Sequence, residues 1–103
     1  MQPSNLFTAL PPASSGETLE TLHAMGSTRI ERIVSHGQAS APGFWYDQEQ
    51  DEWVLVLRGE ATLQMESGGT VELRVGDHLL IPKHCRHRVE RTTAETLWLA
   101  VYG

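Results

Sequence analysis

The chain has 103 residues, with 8 lysines and arginines against 13 aspartates and glutamates, a net charge of −5 when histidine is neutral. That balance excludes the basic footprint that binding to nucleic acid or to an anionic membrane needs, so neither is expected as a partner. Hydrophobic residues at 40% and charged residues at 20% describe one globular domain, large enough to bury roughly 65% of its unfolded surface without staples. The single cysteine, Cys85, allows no internal disulfide and suits a reducing compartment. No apolar run approaches the ~20 residues needed to span a bilayer. The opening Met1-Gln2-Pro3-Ser4-Asn5 has no basic stretch leading into an apolar one, so a cytoplasmic protein is expected.

Residues 1–15 hold three prolines and several serines and alanines, and read as an arm. Leu6, Phe7 and Leu10 give it apolar groups to dock on the domain or on a neighbouring subunit. Ser15 to Met25 has the pattern of a short helix. Ser14 or Ser15 caps it, and Glu17 and Glu20 fall where the macrodipole favours acids. Leu19, Leu22 and Met25 recur on one face, and Gly26 suits a helix end. From Thr28 the pattern changes to strands. Arg29 to Val34 is a first, and His36 to Gly43 is loop chemistry. Gly43 to Tyr46 is aromatic and strand-like, and Trp53 to Leu57 is a continuous apolar strand. Ala61 to Glu66 and Thr70 to Val75 alternate about the turn Ser67-Gly68-Gly69. His78 to Ile81 stops at Pro82, and Arg86 to Arg91 and Thr96 to Tyr102 complete the set. Short strands at regular spacing, with glycine in the turns, indicate an all-β sandwich or barrel. The division expected is an arm and helix over 1–27 and a β-barrel over 28–103, one domain in all.

Three clusters of polar residues stand out. Asp47-Gln48-Glu49-Gln50-Asp51-Glu52 lies between an aromatic and an apolar strand. His84-Cys85-Arg86-His87 follows Pro82, and His36 and His78 stand alone. In an extended strand Glu52 points the same way as Val54 and Val56, into the barrel. A carboxylate there needs a partner, since burying a lone charge is expensive. His87 shares a strand face with Cys85 and Val89, so its imidazole also points inward, while Arg86 and Arg88 point out. Cys85 reads as a small buried hydrophobe and His78 as structural. Trp45 or Tyr46, beside the acidic cluster, is the candidate pocket wall.

Glu52 is followed by six residues and then Gly59; Gly76 is followed by five and then Pro82, with His87 five further on. The two spaced motifs, joined by a hairpin over Glu60 to Val75, resemble those of the cupin family, in particular its small single-domain bacterial members. The resemblance implies a double-stranded β-helix (jelly-roll) barrel and a homodimer. It implies a divalent metal, Mn²⁺, Fe²⁺, Ni²⁺ or Zn²⁺, held by Glu52 and His87, and no nucleotide cofactor. The family's His-x-His before the glutamate is missing. Its positions fall on Trp45 and Asp47 in one register and on Tyr46 and Gln48 in the other. Asp47 is expected as a third ligand, with Gln48 or His84 completing the shell and Tyr46 or Trp45 lining it. Cys85 or His36 are further candidates for the last position. The family's glycine after the proline is His84 here. A metal-dependent enzyme acting on a small polar molecule, by oxygenation, isomerisation or decarboxylation, is the first expectation. A ligand-binding or sensor module without a reactive metal is the alternative.

Overall fold

A computed structural model describes residues 1–12 and 16–103. The strands are β1 (Thr18–Met25), β2 (Thr28–Ser35), β3 (Glu52–Arg58), β4 (Ala61–Met65), β5 (Thr70–Leu73), β6 (His78–Ile81), β7 (His87–Thr92) and β8 (Thr96–Tyr102). One antiparallel sheet runs β1-β2-β8-β3-β6 and a second runs β5-β4-β7. The all-β expectation holds. No helix among the described residues is long and apolar enough to cross a membrane.

Period-two alternation explains how the sheets close on one another. In β3, Glu52, Val54 and Val56 are buried while Trp53 and Leu55 are half-exposed. In β4, Ala61 and Leu63 turn inward, in β7 His87 and Val89, and in β8 Trp98, Ala100 and Tyr102. Apart from Glu52 and His87, the inward side chains form one core with Ile33, Leu73 and Ile81. Each successive residue of an extended strand faces the opposite side, so one alternating run supplies both a core face and a solvent face. Gly59, after β3, adopts φ +77°, and a Cβ there would lie 2.4 Å from the Glu95 carbonyl oxygen. Only glycine fits where that turn packs against the start of β8.

The expected helix over Ser15 to Met25 is corrected. From Thr18 onward the segment is a strand; the capping positions Ser14 and Ser15 lie outside the described residues. β1 pairs with β2 from Thr18↔Val34 to Met25↔Thr28, with an irregularity between Thr21 and His23. Leu19, Leu22 and Met25, the expected buried stripe, are 50%, 44% and 55% exposed. A helix this short is marginal alone and needs an apolar surface to lie on. Pairing with β2 satisfies the backbone without one. Gly26 does have the left-handed conformation that ends a helix, φ +56°, but uses it at the first position of a two-residue hairpin turn.

The arm docks on its own domain. The buried Arg32 guanidinium donates to the carbonyls of Leu6, Thr8 and Ala9 and pairs with Glu20 at 2.6 Å. A planar fork of donors suits several carbonyls at once.

Candidate functional site

Glu52 opens β3, Tyr102 closes β8 and Ile81 closes β6, and Glu52 is the register partner of both. The antiparallel pairing therefore gathers three strand ends at one end of the barrel. The Tyr102 hydroxyl donates to Glu52 Oε2 at 3.1 Å. From the other sheet, His87 opens β7 beside the end of β4, paired with Met65. Its Nε2 lies 3.7 Å from Glu52 Oε1, with both side chains under a tenth exposed.

The His87 ring is held from two sides. Its Nδ1 donates to the Cys85 carbonyl at 2.8 Å, which places the remaining nitrogen, Nε2, toward Glu52. Tyr46 forms a two-bond backbone bridge with His87, Tyr46 N to His87 O at 2.7 Å and His87 N to Tyr46 O at 3.2 Å. That pairing puts the two rings on one face, stacked with centroids 5.4 Å apart and planes inclined by 23°.

These groups surround a cavity of about 40 Å³. That is room for more than one water. Ile33, Val54, Leu63 and Trp98 line its apolar part, and Glu17, Tyr46, Gln48, Glu52, His87 and Tyr102 its polar part. Burial pushes the Glu52 carboxyl above the ordinary carboxylate range; His87, Tyr102 and Gln48 oppose that shift without cancelling it. Burial, then the Glu17 and Glu52 carboxylates, push the Tyr46 phenol up to about 12. The Tyr102 phenol is raised for the same reasons, burial first and Glu52 next. Both phenols therefore keep their protons at neutral pH and act as donors.

The two open registers for the absent His-x-His differ in which residues reach the cavity. Tyr46 and Gln48 line the cavity, while Trp45 and Asp47 do not. Asp47, expected as a ligand, is half exposed, and its Oδ1 meets His84 Nδ1 at 2.8 Å on the surface. The structure thus brings together Glu52 and His87 but not Asp47, because successive residues of an extended segment face opposite ways and Asp47 lies between Tyr46 and Gln48. His84 is likewise turned outward, and the Asp47 hydrogen bond raises its pKa. The His84 backbone keeps φ +60°, the conformation that glycine favours, at the position where the family has glycine. His36 and His78 do not line the cavity. Cys85 is half-buried, packs on the core and serves the site through its carbonyl.

Glu17, Ser35, Trp98 and Tyr102 were not singled out by the sequence. Glu17 accepts from Ser35 Oγ at 2.6 Å, and Ser35 Oγ accepts from Trp98 Nε1 at 3.1 Å. Period two along β8 is a signal that places Trp98 and Tyr102 inward. Glu17 was hidden by its assignment to a helix.

Comparison with known proteins agrees with this fold. Residues 31–102 match the family model described as a cupin domain. A crystal structure from Ralstonia eutropha JMP134, described as a candidate mannose-6-phosphate isomerase, is 45% identical over 99% of this chain and 97% of its own, with a TM-score of 0.92. A cupin superfamily protein from Desulfitobacterium hafniense DCB-2 shares the fold at 18% identity, covering 98% of this chain and 89% of that one, with a TM-score of 0.80. A structure from Salmonella typhimurium LT2, described as a candidate ethanolamine utilization protein Q, shares it at 24% identity, covering 84% of this chain and 68% of that one, with a TM-score of 0.70. No curated protein matches the chain.

Proposed function

This chain belongs to the cupin family, and we propose that its barrel cavity binds a small organic molecule and exchanges a proton with it through Glu52 and His87. One observation carries the reading. A buried carboxylate and a buried imidazole face each other across 3.7 Å at a cavity, with the imidazole oriented by a backbone carbonyl. Too far apart to bond each other directly, the two groups leave room for a ligand's polar atom. Burial raises the Glu52 carboxyl toward the pH at which it can both take and give a proton. Tyr46 and Tyr102 supply fixed donors beside it.

The Ralstonia relative's description names an isomerase of a sugar phosphate. Isomerisation is a proton transfer, which a carboxylate and imidazole can perform. A phosphate is less well supported, since no lysine or arginine among the described residues lines the cavity.

A divalent ion held by Glu52 and His87 is the second reading. It is favoured by the Nδ1 hydrogen bond to Cys85, the arrangement that orients a ligating histidine. Glu52 and His87 supply two of the roughly three to four protein donors that a resident metal centre uses. Among the described residues no group of three histidines, cysteines, aspartates or glutamates is placed to hold an ion. Metal analysis of the purified protein, and calorimetric titration with Mn²⁺, Fe²⁺, Ni²⁺ and Zn²⁺, separates the two readings. The proposal expects no stoichiometric binding. One ion per chain, lost in Glu52→Ala and in His87→Ala, would establish the metal reading instead.

A homodimer accompanies this reading. β1 is the edge strand of its sheet, and it exposes Leu19, Leu22 and Met25. An apolar edge of this kind favours a second chain over water. Light scattering that gives a monomer mass at micromolar concentration would overturn it.

A further inference from the structure

We propose that the ligand of this pocket carries a cationic nitrogen head, seated between Glu17 and Glu52, and an apolar body lying in the groove beside it. This rests on the reading of the cavity as a binding site and adds the chemical class of the ligand.

Charge is the first argument. The cavity is reached by two carboxylates, Glu17 and Glu52, and neither it nor the adjoining groove is lined by a lysine or arginine among the described residues. The nearby Arg29 lies over the Tyr102 ring at 4.4 Å and is already paired with Glu31 at 2.8 Å. An anionic ligand would add a third negative charge to a partly desolvated space. A cation offsets the burial of the carboxylates already present.

The walls give the second argument. Tyr46, Trp98 and Tyr102 border the cavity. Aromatic faces carry negative potential and attract ammonium groups, most strongly where water is excluded. Carboxylates combined with aromatic rings are selective for organic cations over neutral polar groups.

Shape is the third. The inner cavity, about 40 Å³, takes a head group and little more. A second space of about 360 Å³ adjoins it and shares Glu17, Leu19 and Tyr46 with it. Ala39, Ala41 and Phe44 wall that groove. Phe44 meets Tyr46 edge to face, centroids 4.8 Å apart, and so fixes the ring at the junction. A narrow acidic end beside a wider space partly walled by two alanines and a phenylalanine matches a molecule with a charged head and a hydrocarbon body.

Calorimetric titration of the full chain with hexylammonium, 1-hexanol, hexanoate and mannose 6-phosphate tests this, since the first three share a body and differ in the head. The expected result is one hexylammonium per chain, bound about tenfold or more tighter than hexanol, with no measurable binding of hexanoate or the sugar phosphate. Glu17→Gln should lower hexylammonium affinity about tenfold or more. Ala39→Arg, at an exposed loop position of the groove, should lower it as well, and it serves where Glu17→Gln fails to fold. Hexanol or hexanoate binding as tightly as the amine, and weakened by Ala39→Arg, overturns the cationic head and leaves the pocket standing. Hexylammonium binding that is unchanged in both variants places it elsewhere and overturns the pocket reading too. Absence of binding by all four probes overturns the inference.

Discussion

Two carboxylate–imidazole contacts among the described residues, one on the surface and one buried, behave in opposite ways. Asp47 and His84 are in contact at 2.8 Å, each about half exposed. Glu52 and His87 are 3.7 Å apart and almost wholly buried. The shorter contact is the weaker interaction. Water and salt screen the surface pair, and ordering two mobile side chains offsets what attraction remains. Around Glu52 the dielectric is low, so its charge is costly and its carboxyl holds a proton more tightly than usual. The His84 pKa is raised for a different reason, hydrogen bonding to Asp47. Burial, not proximity, sets the two pairs apart.

Removing one side of the buried pair is the most damaging test. His87→Ala leaves the Glu52 carboxylate without its imidazole and opens a void beneath Tyr46; a loss of about 3 kcal/mol in urea unfolding at neutral pH is expected. Tyr102→Phe removes only the hydroxyl that donates to Glu52 Oε2, and about 1 kcal/mol is expected from the same measurement. A loss as large as that of His87→Ala would mean that the tyrosine, not the histidine, is the main partner of Glu52.

The pH dependence of stability isolates Glu52 itself. In acid both the folded and the unfolded chain hold its proton, and the group contributes nothing. As pH rises through the ordinary carboxylate range the unfolded chain loses the proton first, so stability falls until pH passes the raised folded value. Glu52→Gln should remove that fall, so its melting temperature gains on the wild type as pH climbs from 4 toward neutrality, by an amount of order 1 °C or more. A profile parallel to the wild type would show that the carboxyl is not perturbed. The smallest effect belongs to the surface pair. Its contribution is present where His84 is protonated and fades as pH rises through the raised His84 value. Asp47→Asn should therefore lower the melting temperature slightly at pH 6, and not at pH 9 or in roughly 1 M salt. A large, salt-resistant loss would make the two pairs equivalent.

Much of the buried pair is legible in the order of the residues. Glu52 shares strand parity with Val54 and Val56, and His87 with Val89, and both runs sit in spaced motifs that resemble those of a known family. Parity within a strand is a local property, so it survives folding unchanged. The segment from Trp45 to Gln48 is not legible in this way. It forms a single bridge at Tyr46 rather than a strand, and nothing in its own residues selects the face that Tyr46 and Gln48 present. The contact with His87 selects it. Asp47 was expected as a ligand from one of the two registers for the family's histidines, and the chain turns the other register toward the cavity and leaves Asp47 on the surface.

The β1 segment marks the same boundary more sharply. Leucines three apart, acids near the start and a glycine at the end satisfy a helix, while threonines and a glycine turn satisfy a hairpin. Local preferences of this size are fractions of a kcal/mol per residue, and pairing along the whole of β2 outweighs them. Sequence alone determined the class of fold, the motif glycines and the inward direction of Glu52 and His87, because each follows from neighbours in the chain. Only tertiary structure decided that Glu17 and Tyr102 join them at one cavity and that Asp47 does not. Those placements depend on which strands pair, and at what register, between residues 50 positions apart in Tyr102 and Glu52 and 63 apart in Trp98 and Ser35.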